Sequence, residues 1–215
     1  MRKFASLFLC LLLVFSLFGC SGTISDRMVM TVDNEESGFK VQAFKYGTEI
    51  DPIKYTEENE DAVFIPRSFP EEIKLEYDIL QNLTVGLAKG NVILRKIDDS
   101  GKYMICGYSL LGEGNIGGLK LRDDGQKVVD MYKDIEEFQD VCLDFGNTIT
   151  VVYFGDKIFS IDEFKSSVYP DLERTKTKEE LNKCLNSVMV AMYRFHNKQI
   201  LGIAYGDYNC IINSR

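Results

Sequence analysis

The chain contains no tryptophan and a single histidine, His196, among 215 residues. Without tryptophan the strongest ring for stacking on a sugar is missing, although 11 tyrosines could substitute. With one histidine, any Cys–His or Ser–His–Asp site has to use His196, and a transition-metal site has little support. No C-x-x-C pair occurs, which argues against a thioredoxin-like site and a zinc ribbon. Positive charge is also short: 25 Lys and Arg stand against 33 Asp and Glu, a net charge of -8. Such a chain repels phosphate, so no nucleic-acid partner is expected. Hydrophobic types at 45% and charged types at 27% are ordinary for a globular protein; they exclude a disordered, collagen-like or multi-span membrane chain.

Long apolar runs are absent except at the N-terminus. Residues 4–18 carry no charge over 15 positions, directly behind Arg2 and Lys3. As a helix this run is about 22 Å long, against a hydrocarbon core of about 30 Å. It is short for a membrane span and suits the apolar region of a signal peptide. The run ends in Leu17-Phe18-Gly19-Cys20, with no A-x-A cleavage pattern. Residues 1–20 resemble bacterial lipoproteins, whose signal ends in Leu, two small or apolar residues and Cys; Phe18 is bulkier than is usual there. The resemblance implies a diacylglycerol on Cys20, cleavage before it and an acylated new N-terminus. It places the chain on the extracytoplasmic side of a bacterial cell membrane. Each buried CH₂ contributes about 0.8 kcal/mol, so several acyl chains make a near-permanent anchor. Loss of Arg2 and Lys3 leaves 23 basic and 33 acidic residues, so no polybasic patch assists the anchor.

The expected organisation is a signal peptide over 1–19, a polar tether over 20–27 and one α+β domain over 28–215. Within that domain, 28–121 reads as β-rich and 122–215 as an αββαββ half. Residues 28–32 and 39–46 are short β-prone runs. Ile73, Leu75, Tyr77 and Ile79 alternate with charged residues as in a half-buried strand. Residues 91–98 and 102–108 flank Asp99-Ser100-Gly101 as a hairpin. Val128, Met131, Tyr132, Ile135, Phe138, Cys142 and Phe145 predict one long helix ending at Gly146. Residues 148–154 and 157–161 flank Gly155-Asp156 as a second hairpin. Thr177 and Glu180 form a capping box that opens another long helix. Its stripe is Leu181, Cys184, Leu185, Val188, Met192 and Phe195, with Asn197 as a left-handed stop. Residues 199–205 and 208–212 then flank Gly206-Asp207 as a third hairpin. The expected fold is therefore α+β, an antiparallel sheet with two long helices, in which the repeated helix-plus-hairpin order suggests a duplicated unit.

Several motifs invite chemistry. Residues 112–117 match G-x-G-x-x-G, and Asp144-Phe145-Gly146 is similar to the metal-binding tripeptide of protein kinases. A phosphate cradle requires a helix directly after the glycines. Here Leu119, Leu121 and the Asp123-Asp124-Gly125 turn intervene, so residues 112–118 read as a flexible glycine loop and no nucleotide cofactor is expected. The acidic stretch 57–61 lacks the EF-hand pattern and reads as a solvated loop, so no metal is expected. After Cys20, the candidates for disulfide pairing are Cys106, Cys142, Cys184 and Cys210, with three full pairings open. His196 reads as the cap of a helix end, where a partly charged imidazole suits the dipole, rather than as a catalytic group. The expected role is a non-catalytic binding or interaction module at the membrane surface, with a protein or envelope-component partner. The alternative is a small envelope hydrolase using carboxylates or His196; a carrier of small ligands is the remaining reading.

Overall fold

The computed structural model describes residues 28–32, 42–58, 63–66, 82–87, 90–97, 102–144 and 146–213. Residues 1–27, where the signal peptide, Cys20 and the tether are expected, lie outside them, as do the alternating run 73–79 and Phe145. The fold is α+β, and every strand pairing in it is antiparallel. A small sheet joins β1 (Met30–Val32), β2 (Gln42–Phe44) and β8 (Asn115–Ile116) in the order β2-β1-β8. The main sheet has nine strands. These are β3 (Glu49–Ile50), β4 (Val63–Pro66), β5 (Asn82–Leu87), β6 (Gly90–Lys96), β7 (Tyr103–Leu110), β9 (Thr148–Phe154), β10 (Lys157–Ser160), β11 (Met189–His196) and β12 (Gln199–Asp207). They run in the order β10-β9-β11-β12-β7-β6-β5-β4, with β3 pairing β7 off that path.

The helices are short: α1 (Pro52–Glu58), α2 (Gln126–Met131), α3 (Ile161–Glu163), α4 (Tyr169–Thr175), α5 (Lys178–Leu185) and α6 (Tyr208–Ile211). A π turn, Phe164–Val168, links α3 to α4. The central strands bury both faces, so they read as apolar runs rather than as clean alternation. Ile149, Val151, Tyr153, Ala191, Tyr193 and Phe195 enter one core with Met30, Phe44, Val128 and Phe138. Val152, Val190 and Met192 enter the other with Phe164, Leu181, Leu185 and Tyr208. The small sheet and α2 thus cover one face, and α3 to α6 cover much of the other. Phe164 is fully buried there, with its ring 5.8 Å from Phe154 and 5.5 Å from Tyr208.

The hairpins β6–β7 and β9–β10 fall where alternation and turn residues place them. Gly155, at φ +60°, supplies the left-handed residue that a tight hairpin needs. The capping box is present: Glu180 N–H donates to Thr177 Oγ1, and Thr177 N–H donates to Glu180 Oε2 at 2.9 Å. That amide holds the exposed Glu180 carboxyl below its ordinary range.

Both long helices are corrected. The first stops at Met131, whose side chain is exposed. Ile135 is extended, and Phe138 is buried from a 3₁₀ turn, Glu136–Phe138. The second stops at Leu185, and Val188, Met192 and Phe195 belong to or adjoin β11. A strand buried on both faces places apolar side chains at helical spacings by coincidence. The third hairpin is corrected too. Gly206 lies inside β12 opposite Gly107, and residues 208–211 form α6. The chain reverses instead at Asn197 and Lys198, both at positive φ, +49° and +62°. That is the two-residue turn that matches strand twist. Asn197 is left-handed as expected, but in a hairpin rather than at a helix end.

Candidate functional site

Beyond Leu110 the chain leaves the sheet and forms a strap over one end of it. Gly112 and Glu113 bend, Gly114 takes φ +143°, and Asn115–Ile116 pairs with β1. Gly117 and Gly118, at φ +60° and +82°, close a tight turn in which Ile116 and Leu119 exchange backbone bonds at 3.0 and 3.1 Å. Glycine adopts two such angles in succession at no steric cost. No helix follows the glycines directly, since α2 begins only at Gln126, so residues 112–117 form a strap without the strand-to-helix geometry of a phosphate cradle.

The return segment is pinned to the start of β12. Arg122 N–H donates to Ile200 O at 2.7 Å, Ile200 N–H to Asp123 O at 2.8 Å, and Gly125 N–H to Lys198 O at 2.7 Å. These bonds hold Arg122 in the left-handed region, at φ +69°, at a cost of about 1–2 kcal/mol. Strap and return segment enclose an open cleft of about 500 Å³, lined by Leu111, Gly112, Glu113, Gly114, Lys120 and Arg122. A trough of about 270 Å³ adjoins it, lined by Ser109, Leu111, Met192, Arg194, Leu201 and Ala204, so Leu111 is a wall of both.

The trough follows from register. Ser109 sits opposite Ala204, Ala204 opposite Met192, and Gly202 opposite Arg194. Three small residues on adjacent strands leave a channel where α3 to α6 no longer cover the sheet. Its rims are Leu111, 59% exposed, and Leu201, 56% exposed. Lys120, Arg122 and Arg194 bring positive charge to this end of an otherwise acidic chain.

The second chemically distinctive group is buried under α6. Arg95 Nη2 donates to Asp207 Oδ1 at 2.8 Å, and Asp207 is fully buried. The same oxygen accepts Cys210 N–H at 2.9 Å and so caps α6. Arg95 Nε and Asp207 Oδ2 are buried without a partner among the described residues. Burial works against the charge on Arg95, but Asp207 outweighs it and holds the guanidinium firmly protonated. Burial pushes the Asp207 carboxyl upward, against the pull of Arg95 and the Cys210 amide. Burial, then the charge of Asp207, also raises the Tyr46 phenol, which donates to Asn186 O at 2.8 Å. This centre holds structure together and offers no access to a substrate.

On the opposite face, the Tyr132 hydroxyl meets those of Tyr153 at 2.5 Å and Tyr193 at 2.8 Å. Burial pushes Tyr132 and Tyr193 far above the usual phenol range and Tyr153 up to about 12. A raised folded-state pKa stabilises the fold fully below the unfolded value, near 10, and loses that contribution as pH rises through the folded value. The expected result is a steep loss of stability between pH 10 and about 12. Phenolate absorbance should appear in two stages, the second coincident with unfolding. A single smooth titration near pH 10 with unchanged circular dichroism would contradict this network.

His196 is exposed at the end of β11, beside the hairpin turn, and not at a helix end. Helix α2 and the 3₁₀ turn leave Cys142 in an exposed loop, not on a buried helical face. Cys184 is half-buried on α5, whereas Cys106 and Cys210 are buried side by side. Glu57 and Glu58 are exposed at the end of α1, and residues 59–61 lie outside the described set. Among the described residues no group of three or more His, Cys, Asp or Glu is placed to hold a metal ion. No helix among them is long and apolar enough to cross a membrane. The trough was beyond sequence reasoning, because a serine on β7 and a glycine and an alanine on β12 carry no signature. No family model, curated protein or solved structure matches the chain.

Proposed function

We propose that this chain is a lipid-anchored extracytoplasmic binding module of a bacterial envelope, and that it docks a protein or peptide segment in the trough between Leu111 and Leu201. The uncovered strip of sheet carries this reading: small residues floor it, exposed leucines rim it, and Arg194 stands beside it. An apolar side chain fits between the two leucines. An acidic group next to it faces Arg194, Arg122 and Lys120. The titratable groups support a non-catalytic role, since the buried ionic pair, Arg95 with Asp207, is taken up in seating α6. The anchor rests on Leu17-Phe18-Gly19-Cys20 behind the apolar run.

The anchor is tested by Cys20→Ala. That variant is expected to lose metabolic acyl labelling and the processed form, and to move from the detergent phase to the aqueous phase. If the unaltered protein already partitions into water with no acyl mass on its N-terminal peptide, the anchored reading fails.

A further inference from the structure

Cys106 lies in β7 and Cys210 in the first turn of α6, and both are buried completely. Their sulfurs are 3.4 Å apart. A disulfide bond is about 2.05 Å long, so closure needs a combined movement of only about 1.4 Å. The approach depends on missing side chains: a Cβ on Gly107 would stand 2.7 Å from Cys210 Sγ. A Cβ on Gly206, opposite Gly107 in the sheet, would stand 2.6 Å from Cys106 O. Helix α6 is also fixed in place. Cys210 N–H donates to Asp207, and Tyr208 N–H donates to Val188 O at 2.8 Å. Cys142 is exposed in a loop and Cys184 half-buried on α5, so the fold brings one cysteine pair together.

We propose that Cys106 and Cys210 are a disulfide site, oxidised in the extracytoplasmic compartment, that staples the C-terminal helix to the middle of the sheet. The location rests on the anchored reading above; the pairing rests on the geometry alone. The oxidant is a disulfide, either a small molecule or an exported thiol oxidase. A thiolate of one cysteine attacks it, forming a mixed disulfide and releasing one thiol of the oxidant. The second cysteine's thiolate then displaces the other oxidant thiol and forms the Cys106–Cys210 bond. The protein loses two electrons and two protons, and the oxidant's disulfide is reduced to two thiols. Both sulfurs are sealed in the folded chain, so the exchange precedes the docking of α6. The bond joins positions 104 residues apart, and long closed loops give disulfides their largest effect on the unfolded chain.

The test is a peptide map under denaturing alkylation, made on two samples of the unaltered chain. One is purified and refolded in a glutathione redox buffer; the other is taken directly from the cell envelope. A peptide linking Cys106 to Cys210 is expected in both, with Cys142 and Cys184 alkylated. Reduction of the refolded sample should lower its melting midpoint. Cys106→Ser should lower it as well, and adding Cys210→Ser should lower it little further. Alkylated Cys106 and Cys210 in both samples, or any other pairing, overturns the site. A link in the refolded sample alone overturns oxidation in the cell. The acyl mass on Cys20 in that same envelope sample then tells whether the anchored reading fails with it.

Discussion

Arg95→Met is expected to lower unfolding stability by about 3–5 kcal/mol, the usual cost of breaking a buried ion pair by removing one partner. The guanidinium is 2.8 Å from a carboxylate that is fully buried, and both belong to the seat of α6. Without Arg95 the charge on Asp207 has no counter-ion among the described residues, and the Cys210 amide and the Tyr46 hydroxyl remain to hold it. The pair itself need not be worth that much: replaced together, buried ions are often neutral or better against apolar groups of like volume. Arg95→Met with Asp207→Asn should therefore cost distinctly less than Arg95→Met alone, since the Asn oxygen can still accept from Cys210. The pH dependence has a definite sign. Burial already raises the Asp207 carboxyl, and Arg95 restrains that rise. Removing the restraint raises it further, and a group with a raised folded-state pKa favours the fold when protonated. The deficit of Arg95→Met should thus shrink as pH falls toward the ordinary carboxylate value and grow as pH rises past it. Denaturant unfolding of the two variants across pH measures this, and a cost below about 1 kcal/mol for the single variant would contradict it.

Leu185→Ala should cost about 2–5 kcal/mol, the range for opening a cavity at a packed site. Leu185 is 1% exposed at the last turn of α5, in the core shared with Phe164, Val188 and Ile211. The capping box fixes the start of this helix, and Val188 N–H donates to Leu185 O at 3.2 Å just past its end. Collapse into the cavity is therefore restricted, which places the cost toward the upper part of the range. Leu201→Ala is the internal contrast: its side chain is largely exposed on the trough rim, and surface changes of that kind stay within about 0.5 kcal/mol. Reversible melts of both variants give the comparison. Equal losses would mean that the core and the rim are wrongly distinguished.

The local devices were the legible part of this fold. Alternation around Gly155-Asp156, and around residues 99–101, predicts two hairpins that the sheet contains. Thr177 and Glu180 announce the start of α5. The failures share a physical cause. Residues 188–193 are buried on both faces and Phe195 continues the apolar series, so their spacing satisfies a helix as well as a strand. Gly206 resembles a turn residue, yet it serves close packing against Gly107, a contact between strands distant in sequence. Phe138 and Leu185, each a member of one of the two apolar stripes, are both buried, although Phe138 reaches the core from a 3₁₀ turn. After Cys20 the sequence offers four cysteines with no preferred pairing, and only the docking of α6 on β7 selects two of them. The trough arises from register, since Ser109, Gly202 and Ala204 become neighbours only when β7, β11 and β12 align.

The claim that the trough is the docking surface is tested most directly by a photoreactive residue placed at Leu201 of the full-length protein in living cells. A second version carries it at Met131, also exposed but on α2, away from the trough. Light should join the Leu201 version to one discrete envelope protein or peptide, and adding Leu111→Asp should abolish that adduct. The Met131 version should give none of it. The same adducts from both positions, or an adduct at Leu201 indifferent to Leu111→Asp, would contradict docking in the trough.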